Sequence, residues 1–254
     1  MIVLKEQDIY RGYKNKRYAD KAIEFLTKRH LLPLTGFSSL SNLVGHLMGD
    51  GTLSKDKFVG DFRFYGSKEK LEYIKNIVFN IFEIYPKSFI KRKGGFVLRY
   101  NNCIVSRFLN LIGVPRGNKV TTSFGVPLWI KEGNRNIKKA FLVAISDDEL
   151  SSPRIDKRGN LEPLRLKFNK TENLLLIGIQ FLEDIRRLFI TLGINCSSVK
   201  LNNDKYLNLN NQINRSIYFN ISAKRENILK FKEKVGFGAE RDKIDKSYFV
   251  LNDH

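Results

Sequence analysis

Cysteine, histidine and long apolar runs are all scarce in this sequence, and each scarcity disfavours a class of protein. The 254 residues include two cysteines and three histidines. Cys103 and Cys196 lie far apart and outside any CxxC pattern, which disfavours both a disulfide framework and a zinc site. No apolar run approaches the ~18 residues of a membrane-spanning helix, and the charged N-terminus lacks the apolar core of a signal peptide. We therefore expect a cytoplasmic protein with no membrane partner.

Acidic residues are too few to balance the basic ones. The chain has 45 Lys and Arg against 26 Asp and Glu, a formal net charge of +19, while 42% of its residues are hydrophobic and can form a core. A folded domain with this excess repels itself unless a polyanion neutralises it. The composition predicts a nucleic-acid partner, with a basic ribosome-associated protein that has no enzymatic role as the alternative.

The order of predicted elements occurs twice along the chain. After a basic leader, 1–37, with one predicted helix around 19–28, residues 38–120 read helix, strand, strand, helix, strand, strand, helix. The same order recurs in 137–254 after a linker at 121–136. An Asn-rich insertion at 200–215 is interpreted as a hairpin tip or loop. This pattern predicts an α+β protein of two similar units.

The first helix of each unit has small residues at every fourth position and a carboxylate at its end. Gly45 has its counterpart in Ala144, and Asp50 has its counterpart in Glu149. Small residues four apart let two helix backbones approach closely. If the two helices pack along this stripe, two carboxylates meet at the negative ends of two helix dipoles. Divalent cations such as Mg²⁺ would neutralise this pair.

This pattern resembles the LAGLIDADG homing endonucleases, in the form where one chain carries two motifs, and the resemblance covers about 38–250. It implies two pseudo-symmetric αββαββα units, whose antiparallel saddle-shaped sheets lie over the DNA major groove and whose motif helices form a central interface. It also implies a metal-dependent endonuclease that cuts both strands of a long DNA site. By this resemblance Asp50 and Glu149 bind Mg²⁺ or Mn²⁺, assisted by the backbone carbonyls of Gly49 and Asp148.

Some motif positions depart from the family pattern or carry further expectations. Met48 stands where the pattern has Asp, and Leu150 stands where it has Gly, a change that could tilt the loop after Glu149. Lys170, at the end of the strand that follows the second motif, is a candidate to stabilise charge on the scissile phosphate. Asp147 is interpreted as a residue that caps or orients locally, and His46 as a packing or surface residue.

Base recognition is expected from outward-facing side chains of the strands, because residues two apart share a face of the sheet and Arg and Asn pair well with guanine and adenine. The candidates are Arg63, Lys91, Arg92, Arg99 and Asn101 in the first unit, and Arg165, Lys167, Lys200, Asn202, Arg215 and Asn220 in the second.

Three functions remain open from the sequence. The first is a site-specific DNA endonuclease that acts as a monomer on double-stranded DNA. The second is a DNA-binding regulator on the same scaffold that does not cut, and the third is a maturase that binds intron RNA. Cleavage in Mg²⁺ separates the first from the second, and RNA that competes with DNA for binding would indicate the third.

Overall fold

The computed structural model describes residues 2–207, 211–240 and 243. In the first unit, helix α3 (Ser38–Met48) is followed by strands β3 (Thr52–Leu53) and β4 (Asp61–Gly66), helix α4 (Lys68–Phe82), strands β5 (Ser88–Arg92) and β6 (Gly95–Asn101) and helix α5 (Cys103–Leu111). The strands form one antiparallel sheet in the order β3-β4-β6-β5. This is the predicted order of seven elements.

The second unit repeats this order, except that an isolated bridge stands in place of its first strand. Its described elements are α7 (Arg135–Glu149), β7 (Leu164–Thr171), a 3-10 turn (Glu172–Leu174), α8 (Leu175–Thr191), β8 (Lys200–Leu207), β9 (Ile213–Ile221) and α9 (Arg225–Lys234). These strands form an antiparallel sheet in the order β7-β9-β8. An isolated bridge between Leu150 and Leu166 stands where the first strand was predicted. Pro153 and Pro163 in this stretch cannot donate to a strand ladder.

Two regions differ from the sequence-based prediction. The leader contains strands β1 (Ile2–Leu4) and β2 (Leu34–Thr35), which pair, and helices α1 (Glu6–Gly12) and α2 (Lys16–Thr27), where one helix was predicted. The insertion at 200–215 includes strand β8 and the start of β9; its residues 208–210 lie outside the described part of the chain, as does the end of the second unit at 244–254.

The core lies behind each sheet, because alternate residues of the strands are buried against the long helices. Phe62, Phe64 and Leu98 are buried in the first sheet, and Leu166 and Phe219 are buried in the second. The short helix α6 (Leu128–Lys131) in the linker places Trp129 in the core, where its indole N–H donates to the carbonyl of Ile112 at 3.0 Å. Among the described helices none is long and apolar enough to cross a membrane. The predicted α+β class with two antiparallel sheets is confirmed.

Candidate active site at the ends of the two central helices

Helices α3 and α7 pack directly on each other along the predicted stripe of small residues. A Cβ atom added at Gly45 would lie 2.7 Å from the Cβ of Ala144 and 2.9 Å from the carbonyl oxygen of Phe141, both closer than van der Waals contact allows. The hydroxyl of Ser41 also donates across the interface to the carbonyl of Ile137 at 2.8 Å. The predicted central two-helix interface is confirmed, and it sets the two helix ends side by side.

Asp50 and Glu149 lie at these adjacent ends. Helix α3 ends at Met48, two residues before Asp50, and Glu149 is the last residue of α7. Burial raises the pKa of Glu149 to about 8, and the negative charges of Asp50 and Asp148 add to the effect, while Lys119 opposes it. Burial and Asp148 also raise the pKa of Asp50, whose side chain is 44% exposed. The two carboxylates therefore repel each other, as expected for an acid pair that lacks a full counter-charge.

The side chain of Asp148 joins the two helix ends. One carboxylate oxygen lies 3.0 Å from Nδ1 of His46 and 2.6 Å from Nζ of Lys70, and the other accepts the backbone N–H of Asp50 at 2.9 Å. Gly49 makes room for this carboxylate, because a Cβ there would overlap it. Burial alone would raise the pKa of Asp148, but His46 and Lys70 outweigh it and lower the pKa to about 2. Asp148 is thus a buried, charged residue that holds the backbone at Asp50, a role that the sequence did not indicate.

Lys70 is a second component of the site that sequence reasoning missed. It lies in the first turn of α4, fully buried, and its Nζ is 3.1 Å from Oδ2 of Asp50 and 3.6 Å from Oε1 of Glu240. Burial would lower the pKa of Lys70, but Asp148 and Asp50 outweigh burial and raise it. The sequence did hold a signal: a lysine in the first turn of a helix opposes the helix dipole and needs a compensating partner.

Two lysines at matched positions cap the central helices. Nζ of Lys119 donates to the carbonyl of Gly51 at 2.7 Å, just after α3, and to that of Leu47 in the last turn of α3 at 3.4 Å. Nζ of Lys243 donates to the carbonyls of Ser146 at 3.1 Å and Asp147 at 2.5 Å, near the end of α7. Cations at helix C-termini satisfy free carbonyls and favour the negative dipole end. Both lysines therefore lie close to the ends of the helices that carry the acids.

Asp147 makes long-range contacts, which corrects its interpretation from the sequence as a residue that caps or orients locally. Its carboxylate accepts the backbone N–H groups of Gly238 at 2.9 Å and Ala239 at 3.0 Å. It therefore fastens the segment after α9 to the end of α7. His46, which is buried at the helix interface and paired with Asp148, is a packing residue as predicted, although it also holds the Asp148 carboxylate.

The structure contradicts the predicted contact between Lys170 and a phosphate. Lys170 lies on the same face of β7 as the core residues Leu166 and Phe168, and it is fully buried. Its Nζ donates to the carbonyls of Lys119 at 2.6 Å and Thr122 at 2.7 Å. Its alternation with the buried residues, rather than its position after the motif, determines where it points.

The outward faces of the sheets carry several of the predicted DNA-contacting residues. Arg63 lies opposite Arg99, and both donate to the carboxylate of Asp61. Arg165 lies opposite Asn220 and donates to its Oδ1 at 3.2 Å. Among the remaining candidates, the exposed ones are Lys91, Arg92, Asn101, Lys167 and Lys200, and Asn202 is half-buried.

Arg215 is a correction within this group. In the register of the second sheet it pairs with Lys170, on the face opposite to Arg165. It is half-buried, and one of its guanidinium nitrogens donates to the carbonyl of Asn202 at 3.1 Å. Arg215 therefore stabilises the β8-β9 hairpin instead of projecting outward from the sheet.

The donor set of the acid pair fits a hard divalent cation in part. Two carboxylates that repel each other, with backbone carbonyls at Gly49 and Asp148, are oxygen ligands of the kind that Mg²⁺ prefers. Within residues 2–207, 211–240 and 243, no group of three or more His, Cys, Asp or Glu side chains is arranged to hold a metal ion. Mg²⁺ usually keeps several waters and binds through one or two carboxylates together with substrate phosphates. The pair suits a cation that is shared with a phosphate.

No protein-family model matches the chain. Among curated proteins it is similar to DNA-directed RNA polymerase subunit Rpo1N of Methanocaldococcus jannaschii, with 31% identity over 219 residues, 76% of this chain and 16% of that protein. It is 25% identical to tRNA-splicing ligase RtcB of Methanopyrus kandleri over 241 residues, 88% of this chain and 23% of that protein. It is also 27% identical to replication factor C small subunit of M. jannaschii over 215 residues, which are 80% of this chain and 11% of that protein. The chain thus spans between 11% and 23% of the length of these relatives.

Solved structures that are similar to the chain include LAGLIDADG homing endonucleases and the LAGLIDADG domain of WhiA. The homing endonuclease I-WcaI bound to its DNA recognition sequence has 14% identity and a TM-score of 0.47, with 96% of this chain and 98% of that chain covered. The LAGLIDADG homing endonuclease I-GzeII in complex with its DNA target has 13% identity and a TM-score of 0.46, with 83% of this chain and 89% of that chain covered. The N-terminal LAGLIDADG domain of WhiA has 14% identity and a TM-score of 0.45, with 85% of this chain and 92% of that chain covered.

Proposed function

We propose that this protein is a site-specific, metal-dependent DNA endonuclease of the LAGLIDADG type. The observation that carries the proposal is the pair of carboxylates, Asp50 and Glu149, at the adjacent ends of two helices that pack through Gly45 and Ala144. Each acid comes from a different unit, so each unit supplies one acid for one strand of a duplex. A chain that carries both halves needs no second copy, and we propose that it acts as a monomer.

Double-stranded DNA is the proposed partner, because the charge of the protein and its outward-facing side chains suit a long polyanion. The net charge is +19, and exposed cations such as Lys91, Arg92 and Lys167 lie on the strands of both sheets. Two sheets related by the internal repeat would each contact one half of the DNA site. Phosphate contacts would supply affinity, and contacts of Arg165 and Asn220 with base edges would supply specificity.

The relatives of the chain support a mobile element as its origin. Most of the chain aligns with three proteins of different names: an RNA polymerase subunit, a tRNA-splicing ligase and a replication factor subunit. The alignment covers at most 23% of any of the three. A module that recurs within otherwise different proteins is what insertion into many genes produces. Cleavage of one specific DNA site is an activity that promotes such insertion.

In the proposed mechanism, the carboxylates of Asp50 and Glu149, with the carbonyls of Gly49 and Asp148, would hold Mg²⁺ or Mn²⁺. When bound, the cation supplies Lewis-acid stabilisation and lowers the pKa of water. Because burial and the charge of Asp50 raise the pKa of Glu149, the cation would compete with a proton for this carboxyl group. Asp148 keeps the backbone at Asp50 in place through the 2.9 Å hydrogen bond. The ammonium of Lys119 contributes positive charge beside the phosphate.

One observation favours a second candidate, a DNA-binding regulator that does not cut. Nζ of Lys70 lies 3.1 Å from the carboxylate of Asp50 and is buried, so an internal cation already neutralises part of the charge on this acid. If Lys70 replaces the divalent cation, the protein would bind a specific DNA site and leave it intact.

A cleavage assay with matched variants tests the proposal. DNA sites are selected by binding from a randomised duplex library in EDTA, and are then incubated with the protein in Mg²⁺ or Mn²⁺. The parent should cut both strands. Asp50→Asn and Glu149→Gln keep the side-chain shape and should abolish double-strand cleavage while DNA binding is retained. The exposed Glu132→Gln variant is the control for loss of a carboxylate and should cut like the parent.

Each other outcome has a defined meaning. A parent protein that binds its selected site but never cuts it in either metal would refute the endonuclease and support the regulator. Unchanged cutting by both variants would place the active site elsewhere. Binding of a structured intron RNA that excludes duplex DNA would support the maturase alternative.

A further inference from the structure

Lys170 is a buried lysine for which the fold makes specific room. A Cβ atom added at Gly178 of α8 would lie 2.6 Å from Cγ of Lys170, so the glycine leaves space for the lysine stem. A buried ammonium is costly unless it is hydrogen-bonded. Burial, with the nearby charge of Lys119, lowers the pKa of Lys170 to about 8, which still leaves it mostly protonated at pH 7.

Within the described residues, the two hydrogen bonds and the ring contact of this ammonium go to one short segment, residues 119–124. Nζ donates to the carbonyl of Lys119 at 2.6 Å and to that of Thr122 at 2.7 Å, and it lies 3.9 Å from the ring centroid of Phe124. The next residue, Thr171, donates its backbone N–H to the carbonyl of Val120 at 3.1 Å. The 119–124 segment is therefore fastened to the end of β7 in the second unit.

The side chain at the start of this segment points into the first unit. Nζ of Lys119 donates to the carbonyl of Gly51, next to Asp50. Its charge is close enough to Glu149 and Asp50 to act on both carboxylates. Lys119 thus has its backbone held by one unit and its ammonium placed at the acid pair.

We propose that Lys170 is a positioning residue that holds the 119–124 segment so that the ammonium of Lys119 lies beside Asp50 and Glu149. This inference rests on the proposed endonuclease function, in which Lys119 neutralises charge at the scissile phosphate. It differs from a general packing role, because it requires the effect of Lys170 on cleavage to pass through Lys119.

A double-mutant cycle tests whether Lys170 affects cleavage through Lys119. Lys170→Met keeps the length of the side chain and removes the ammonium, and Lys119→Met removes the cation that it is proposed to place. Misplacement of a reacting group by about 1 Å can cost on the order of 10²-fold in rate. We expect Lys170→Met to slow cleavage by about 10- to 100-fold, with little change in the dissociation constant for DNA. The double variant should cut no more slowly than Lys119→Met alone, because the two residues act in series.

Two further variants serve as controls. Lys170→Arg keeps a cation at this position and should cut faster than Lys170→Met. Lys170→Gln, which also lacks the ammonium, replaces Lys170→Met if that variant does not fold by circular dichroism. Lys21→Met removes an exposed lysine of α2 and should cut like the parent. If the losses from Lys170→Met and Lys119→Met multiply in the double variant, the residues act independently and the proposal is wrong.

A second readout does not depend on cleavage. Amine labelling with acetic anhydride, read by mass spectrometry, reports the accessibility of each lysine. Lys119 should be protected in the parent, and Lys170→Met should raise its labelling toward that of the exposed Lys21. If the parent does not cut but Lys170→Met still raises the labelling of Lys119, the positioning role is supported while the endonuclease function fails. Unchanged labelling of Lys119 in folded Lys170→Met would overturn the positioning role whether or not the parent cuts.

Discussion

Adding one methyl group at Gly45 should destabilise the protein, and removing one from Ala144 in the same chain should restore part of that stability. In the Gly45→Ala variant the new Cβ would lie 2.7 Å from the Cβ of Ala144 and 2.9 Å from the carbonyl oxygen of Phe141. The first contact exists only when both positions carry a Cβ atom. The double variant Gly45→Ala/Ala144→Gly removes it and keeps the number of methyl groups in the interface constant.

The size of the effect follows from two opposing contributions. Overpacking in a close-packed interface costs about 1–3 kcal/mol, whereas a helical glycine replaced by alanine gains about 1 kcal/mol of helix propensity. Gly45→Ala should therefore lower the free energy of unfolding by up to about 2 kcal/mol, and Ala144→Gly should lower it by about 1 kcal/mol. In the double variant the propensity changes cancel and the Cβ–Cβ contact is absent, but the 2.9 Å contact with the carbonyl oxygen of Phe141 remains. Its stability should therefore lie above the sum of the two single losses and somewhat below that of the parent.

Thermal and urea unfolding of the four proteins provide the assay. For a chain of this length, 1 kcal/mol corresponds to roughly 2–4 °C in Tm. Gly125→Ala, at an exposed position where an added Cβ would meet nothing within 4 Å, is the control for an added methyl group outside the interface. Effects of Gly45→Ala and Ala144→Gly that simply add in the double variant would show that the two positions do not touch.

Four further results are expected. Arg99 and Arg63 outweigh the effect of burial and lower the pKa of Asp61, so the stability that the parent gains over Asp61→Asn should be present at neutral pH and should be lost as the pH falls through the folded pKa of Asp61. A difference in stability that stays constant as the solution is acidified would contradict this. Trp129→Phe leaves the carbonyl of Ile112 without its indole donor and should cost about 1–3 kcal/mol in urea unfolding, whereas no loss would mean that this hydrogen bond is dispensable. DNA binding by fluorescence anisotropy should weaken steeply with salt, with a slope of log K against log salt of about −7 for roughly eight phosphate contacts, and a slope near zero would exclude a phosphate-dominated interface. Sedimentation equilibrium should give a single species of 29.5 kDa, and a dimer at working concentrations would contradict a one-chain acid pair.

The central helices and their acids could be predicted because their signals are local. The small residues of α3 and α7 recur at helical spacing, so the sequence alone could assign Gly45 and Ala144 to one interface. Strand β8 could not be predicted in this way. It is an edge strand, paired only with β9, and nearly all of it is exposed, so it lacks the alternation of buried residues that identifies a strand.

The counter-charges of the site could not be predicted because they depend on contacts between distant residues. Lys70 contacts Asp148 from a separate helix, and nothing in the sequence around either residue predicts this contact. Lys170 shows a different limit. Its family-based position suggested a phosphate contact, whereas its alternation with Leu166 and Phe168 places it on the buried face. In this case the local pattern was the better guide.

Uptake of Mn²⁺ by the protein–DNA complex tests most directly whether the acid pair holds a divalent cation. Electron paramagnetic resonance measures free Mn²⁺ in a titration of the parent and of Asp50→Asn/Glu149→Gln, each with its selected duplex. The DNA complex of the parent should remove free Mn²⁺ from solution at micromolar protein, and the complex of the double variant should remove no more than the DNA alone. Equal uptake by the two complexes, or no uptake beyond that of DNA by the parent, would contradict a metal site at Asp50 and Glu149.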